Sequence, residues 1–150
     1  VNSALQRARA TLGNRNLSAA EPLSKEDAEL VDEYVDAFQR YDVDTLVTLL
    51  RDDVHFSMPP LTLWLRGPED VRSWLLGAGA VCRGSKLVPV QACSSPAFAQ
   101  YHPDQANGTY SAWALIVLEL DGGRISGWNS FLDTGRLFPM FGLPLFRADR

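Results

Sequence analysis

One change of period constrains this chain most. Between Ser24 and Leu50 the apolar residues recur at three and four. From Val54 onward, one short helical stretch apart, they alternate. Val31, Tyr34, Val35 and Phe38 form one helical stripe, and Val43, Leu46, Val47 and Leu50 form a second. Ser24, followed by Glu26 and Asp27, is a helix start with favourable acidic residues in the first turn, and Asp42 caps the second helix. In Val54-His55-Phe56-Ser57-Met58 every second side chain is apolar, which predicts a strand that Pro59-Pro60 ends. Leu61 to Arg66 is a short extended run. Gly67-Pro68 opens a third helix carrying Val71, Trp74 and Leu75, and Gly77-Ala78-Gly79 closes it. Strands are then predicted over Lys86 to Cys93, Pro96 to His102, Thr109 to Leu120 and Arg124 to Asp133, the last two joined by a tight turn at Asp121-Gly122-Gly123. Leu137 to Gly142 is an apolar closing segment. About three helices on one side of a curved antiparallel sheet make an α+β domain. Such a sheet wraps its helices as a cone whose mouth can form a pocket.

Composition removes several classes. The net charge is -4, whereas a domain that grips nucleic acid on its own surface is ordinarily basic. No run of about 18 apolar residues exists, so no membrane partner is expected. Cys82 and Cys93 form no CxxC pair and have only His55 and His102 to help, so two packed, reduced thiols and no metal are expected. No cofactor motif is present: neither a P-loop nor a dinucleotide glycine pattern appears. Ser57, Ser111 and Ser130 lack the setting of a hydrolase nucleophile. The cytoplasm is the default compartment.

The first twelve residues are unlike the rest. Val1, Leu5, Ala8 and Leu12 make one apolar stripe, flanked by Arg7 and Arg9, with no cap and no Met before them. The chain is therefore expected to start inside a helix and to be part of something longer. This run resembles the end of region 4 of extracytoplasmic-function sigma factors, where the helix of a helix-turn-helix finishes in Val-x-Ser-x-Leu-x-Arg-Ala-Arg-x-x-Leu. The resemblance implies a parent that directs RNA polymerase to promoter DNA, with Arg7 and Arg9 as candidate DNA contacts. Residues 13–23 read as a linker and 24–150 as a second domain.

From Ser24 to Gly142 the chain resembles the SnoaL-like branch of the NTF2-like cone fold. The likeness rests on Arg51-Asp52-Asp53-Val54-His55-Phe56-Ser57-Met58-Pro59, on Trp64-Leu65-Arg66-Gly67-Pro68-Glu69-Asp70-Val71, and on Asp121-Gly122-Gly123-Arg124-Ile125 leading to Phe131-Leu132-Asp133. Ketosteroid isomerases of similar fold place a base just before the strand-ending proline and an oxyanion-holding acid on the strand before the last hairpin. Those positions hold Met58 and Ile116 here. Neither side chain can move a proton, so the residues argue against isomerase chemistry. The polyketide cyclases of the SnoaL group use an Asp near the end of the last strand. Asp133 matches it, and a cyclase- or hydrolase-type enzyme using Asp133 is the second reading. The bland alternative is that Asp133 caps the closing segment. The Asp-Gly-Gly-Gly-Lys signature of other sigma factors with this extension is absent. Asp121-Gly122-Gly123-Arg124 is only a turn.

Phe56, Met58, Trp64, Ile116, Asn129 and Asp133 are the expected pocket. His55 should point away from the core, and His102 should be solvated. The apolar tail, with Phe138, Met140 and Phe146, should either plug the pocket or dock on a partner surface such as the sigma domains. The leading expectation is a regulatory domain that contacts the sigma domains in cis, or RNA polymerase, and holds a small apolar ligand. A homodimerisation module is the third reading.

Overall fold

The computed structural model describes residues 23–90, 95–104 and 106–148. Arg7, Arg9, the first helix, Cys93 and all of the linker but Leu23 lie outside the described residues. Ser24 starts helix α1 (Lys25–Arg40), its hydroxyl accepting the Asp27 N–H at 3.1 Å. The helix stops at Tyr41, which has a left-handed φ of 54°. A tyrosine in that conformation needs an anchor. The Tyr41 hydroxyl supplies one, sharing its hydrogen between the carbonyls of Leu75 (2.7 Å) and Gly79 (2.8 Å). Asp42 caps α2 (Val43–Thr48) by accepting the Thr45 N–H at 3.2 Å. Leu30, Tyr34, Ala37 and Phe38 are the buried face of α1. Val31 and Val35, expected in that stripe, pack at its margin instead.

β1 (Leu50–Ser57) is longer than the alternation predicts, and β2 (Trp64–Arg66) pairs with it antiparallel after a cis Pro59–Pro60 bond. Pro68 begins α3 (Pro68–Leu76), which runs on into a 3₁₀ turn at Ala78–Cys82. β3 (Lys86–Val90), β4 (Ala97–Asp104), β5 (Thr109–Asp121) and β6 (Arg124–Phe131) follow. Gly122 and Gly123, at φ 62° and 78°, form the β5–β6 turn, where two consecutive left-handed residues suit the twist of a hairpin. The strand order is β2-β1-β6-β5-β4-β3. β1 and β6 lie parallel, so the sheet is mixed, not antiparallel as expected. Helix α3, the 3₁₀ turn and four strands separate β1 from β6, which leaves room for the crossover a parallel pair requires.

Two apolar layers flank the sheet. Inside the cone, Trp128 stands edge-on to Tyr34 (5.2 Å), Phe38 (5.9 Å) and Phe56 (5.2 Å). The opposite face carries Ala97, Ala99, Tyr101, Leu115 and Phe131. The closing segment covers it. That segment is a helix, α4 (Thr134–Met140), whose Leu137 and Phe138 are fully buried there. It continues into β7 (Phe146–Ala148), which pairs with the start of β5. The Tyr101 hydroxyl donates to the Pro144 carbonyl at 2.8 Å and holds the crossing.

Candidate functional site

Strand alternation divides the expected pocket between the two faces of the sheet. Val54, Phe56 and Met58 project into the cone, where Phe56, Met58 and Ile116 belong to one buried cluster with Tyr34 and Trp128. Asn129 does not join them. It is opposite Ser57 and Val117 in the register and lies on the outer face. Trp64 is also opposite Ser57, shares that outer side, and is 59% exposed. The sequence shows that these residues are near the strand ends but not which way a three-residue edge strand faces.

Asp133 is not on the last strand. β6 ends at Phe131, and Asp133 heads α4. Its side chain makes no cap. The Asp133 backbone carbonyl accepts from Leu137 N–H at 3.1 Å, and the carboxylate is one-third exposed, 3.8 Å from Arg136. The geometry gives the carboxylate an arginine neighbour near the surface and no second polar group inside a cavity.

Two of the most deeply buried side chains in the cone carry unpaired polar groups. The Tyr34 hydroxyl and the Trp128 Nε1–H are buried and have no hydrogen-bond partner among the described residues. Both are donors, and a buried donor without a partner carries its full desolvation cost. Burial, with the Cys82 thiol nearby, raises the Tyr34 pKa well above the ordinary phenol value, so it stays protonated. Burial likewise pushes the Cys82 thiol up, opposed by the neighbouring Gln100 and Trp113 side chains. Gln100 Nε2 in turn donates to Ser85 Oγ at 3.2 Å. These groups come from α1, the 3₁₀ turn and β4 to β6. The spacing of Tyr34 reads only as core, so the sequence does not show that its hydroxyl is left unpaired.

The outer face has its own polar network. Glu119 Oε2 is 2.7 Å from His55 Nε2 and accepts from Asn129 Nδ2 at 3.2 Å, and Ser57 Oγ donates to Asn129 Oδ1 at 2.9 Å. Gly127 lies beneath this pair: a Cβ there would meet Glu119 Oε2 and His55 Nε2. His55 points outward as expected. His102 does not match its expected solvation, since its ring packs 5.0 Å from that of Trp113 and its Nδ1 is buried.

The fold and the match of residues 31–128 to the SnoaL-like domain model agree, and the chain belongs to the SnoaL-like domain family. Among curated proteins, it is 37% identical over 150 residues to the extracytoplasmic-function RNA polymerase sigma factor SigG of Mycobacterium tuberculosis, in both the CDC 1551 and H37Rv strains. That match takes in 96% of this chain but spans only 40% of the relatives' length. Solved structures with similar folds include an M. tuberculosis LEH-like epoxide hydrolase (20% identity, TM-score 0.56, 80% of this chain and 92% of that one). An NTF-2-like protein of unknown function from Burkholderia xenovorans is similar at 14% identity and TM-score 0.59, over 72% and 83% of the two chains. At these identities the likeness concerns the fold alone. Among the described residues, no helix is long and apolar enough to cross a membrane.

Proposed function

We propose that this chain is the C-terminal part of an extracytoplasmic-function sigma factor, in which the SnoaL-like domain tunes promoter-directed initiation by RNA polymerase. The observation that carries the reading is the similarity to SigG along 96% of the chain, which includes most of the basic leading segment as well as the cone. In this reading Arg7 and Arg9 end the parent's DNA-binding helix, and the domain acts on the sigma domains in cis. Regulation requires that it bind two arrangements of those domains with different affinity. Contact within the chain is favoured over pairing with a second copy because α4 already covers part of the sheet's outer face.

In this reading a ligand enters the cone by displacing packed side chains, since Tyr34, Phe38, Phe56 and Trp128 fill it. The ligand is small and apolar with one acceptor oxygen, which meets the unpaired Tyr34 hydroxyl and Trp128 Nε1–H. Acetophenone and ethylbenzene, which differ in that oxygen, separate the idea from simple apolar filling. Only acetophenone should perturb Trp128 fluorescence, and Tyr34→Phe should weaken it. The regulatory reading is tested by promoter-specific transcription in vitro with the full-length parent and a version ending at Leu12. A change in either direction supports a regulator acting in cis, whereas equal activity refutes it.

A further inference from the structure

The exposed side of α1 is a band of carboxylates. Glu26, Glu29, Asp32, Glu33 and Asp36 line an open groove of about 670 Å³ between α1 and the β5–β6 turn. Leu30 and Leu49, both nearly buried, form its floor. Its far wall is the turn itself, where Gly123 lies so close to Glu26 that a Cβ would strike the carboxylate. Glu29 and Glu33, and Asp32 and Asp36, are like-charged pairs at i, i+4, which destabilise a helix left to itself. Of these five carboxylates only that of Asp36 has a cationic partner among the described residues, Arg40. Arg124 also lines the groove, but its guanidinium is directed at the Thr48 carbonyl, 3.0 Å away. The groove therefore has an apolar floor and an acidic rim of five carboxylates, which Arg124 and Arg40 balance only in part.

Twenty-two residues precede Leu23, and they are the basic part of this acidic chain. They contain Arg7, Arg9 and Arg15 against the single acid Glu21. The remaining 128 residues hold 11 basic and 17 acidic side chains. The segment joins the fold at the first turn of α1, beside Glu26 and Glu29. An extended chain covers up to about 3.5 Å per residue, so the eight residues from Arg15 to Leu23 reach about 28 Å. The groove from Glu26 to Asp36 is only about 15 Å long at the helical rise. Val1, Leu5, Ala8 and Leu12 give the same segment an apolar side to set on Leu30 and Leu49.

We propose that residues 1–15 of this chain dock antiparallel along the acidic groove of α1, with Arg7, Arg9 and Arg15 on its carboxylates. The proposal rests on the regulatory reading only for its consequence: docking occupies the arginines that the reading assigns to promoter DNA. A short linker holds the segment near the groove at about millimolar effective concentration, so weak ion pairs suffice. Because the floor is small and the charges are exposed, the contact should be strongly sensitive to salt.

The test is hydrogen–deuterium exchange on the chain of 150 residues, without polymerase or DNA. A twelve-residue helix is marginal in water by itself, so slow exchange over residues 1–12 reports docking. At low salt those amides should exchange about tenfold more slowly than in E29K/E33K, and 0.5 M salt should remove the difference. Adding R7E and R9E to E29K/E33K reverses both sides and should restore the protection. The α1 positions are exposed, so circular dichroism should show all variants folded. Equal exchange in every variant would overturn the proposal, as would protection that ignores charge reversal. Protection that rises with protein concentration would overturn it in favour of a second copy. None of these outcomes bears on the transcription comparison, so the docking and the regulatory reading can fail separately.

Discussion

Replacing Phe138 by alanine tests how the closing segment is held. Phe138 is fully buried against the outer face of the sheet, its ring 5.5 Å from that of Tyr101 and nearly perpendicular to it. The neighbouring Leu137 is also fully buried, while Met140 on the same helix is 62% exposed. A buried Phe→Ala change ordinarily costs about 3–5 kcal/mol, from lost transfer energy plus the cavity left behind. α4 is a seven-residue helix, too short to persist by itself. The anchors that remain are Leu137, the Tyr101–Pro144 bond, and the 2.7 Å bond from Ala112 N–H to the Leu145 carbonyl. We expect the loss to fall near 4 kcal/mol, which is a large part of the total stability of a small domain. With an m-value of about 2 kcal/mol/M in urea, the unfolding midpoint drops by about 2 M. Met140→Ala should shift it by less than about 0.5 kcal/mol. The assay is urea unfolding followed by tryptophan fluorescence, with light scattering on the same samples. If α4 peels away instead of leaving a cavity, Leu115 and Phe131 become exposed and the variant should self-associate. A Phe138→Ala protein that keeps the parent's midpoint within about 0.5 kcal/mol and stays monomeric would refute the packing argument.

Three further outcomes follow from the geometry. The Tyr41 pKa is pushed from 10.0 up to about 12 by burial, with the Cys82 thiol adding to it and Arg83 opposing. The folded state thus holds this proton more tightly than the unfolded chain. Its contribution is complete below about pH 10 and is lost as pH rises through about 12. The midpoint should fall more steeply between about pH 9 and 11.5 in the parent than in Tyr41→Phe, which at neutral pH should cost about 1–2 kcal/mol for the two buried carbonyls left without their donor. Gly127→Ala should break the His55–Glu119 pair, because the added Cβ meets both side-chain ends. Since both are substantially exposed, the cost should stay near 1 kcal/mol, read by chemical denaturation. Trp64→Ala should leave stability within about 0.5 kcal/mol, and, contrary to the sequence expectation, should not change acetophenone binding, because Trp64 lies on the outer side of β2.

Local signals in the chain determined the elements. Ser24 and Asp42 cap the helices they were expected to cap, Pro68 starts α3, and the Gly122-Gly123 turn joins the two strands it was expected to join. Caps and turns depend on a few neighbouring residues, so they can be read without knowing the fold. The inward direction of Phe56 and Met58 also follows from alternation alone. The parallel β1–β6 pairing, the covering of the outer sheet face by α4, and the separation of Asn129 and Trp64 from the cone were decided by tertiary structure. Each depends on which strands become neighbours, and a period of two reports that a strand has two faces without naming what covers either. The same holds for Tyr34. Its spacing marks it as core, but only the packing around it shows that its hydroxyl is left without a partner. The acidic band of α1 was visible as composition. It became a groove only when the β5–β6 turn closed against the first turn of the helix, a contact between residues nearly a hundred positions apart.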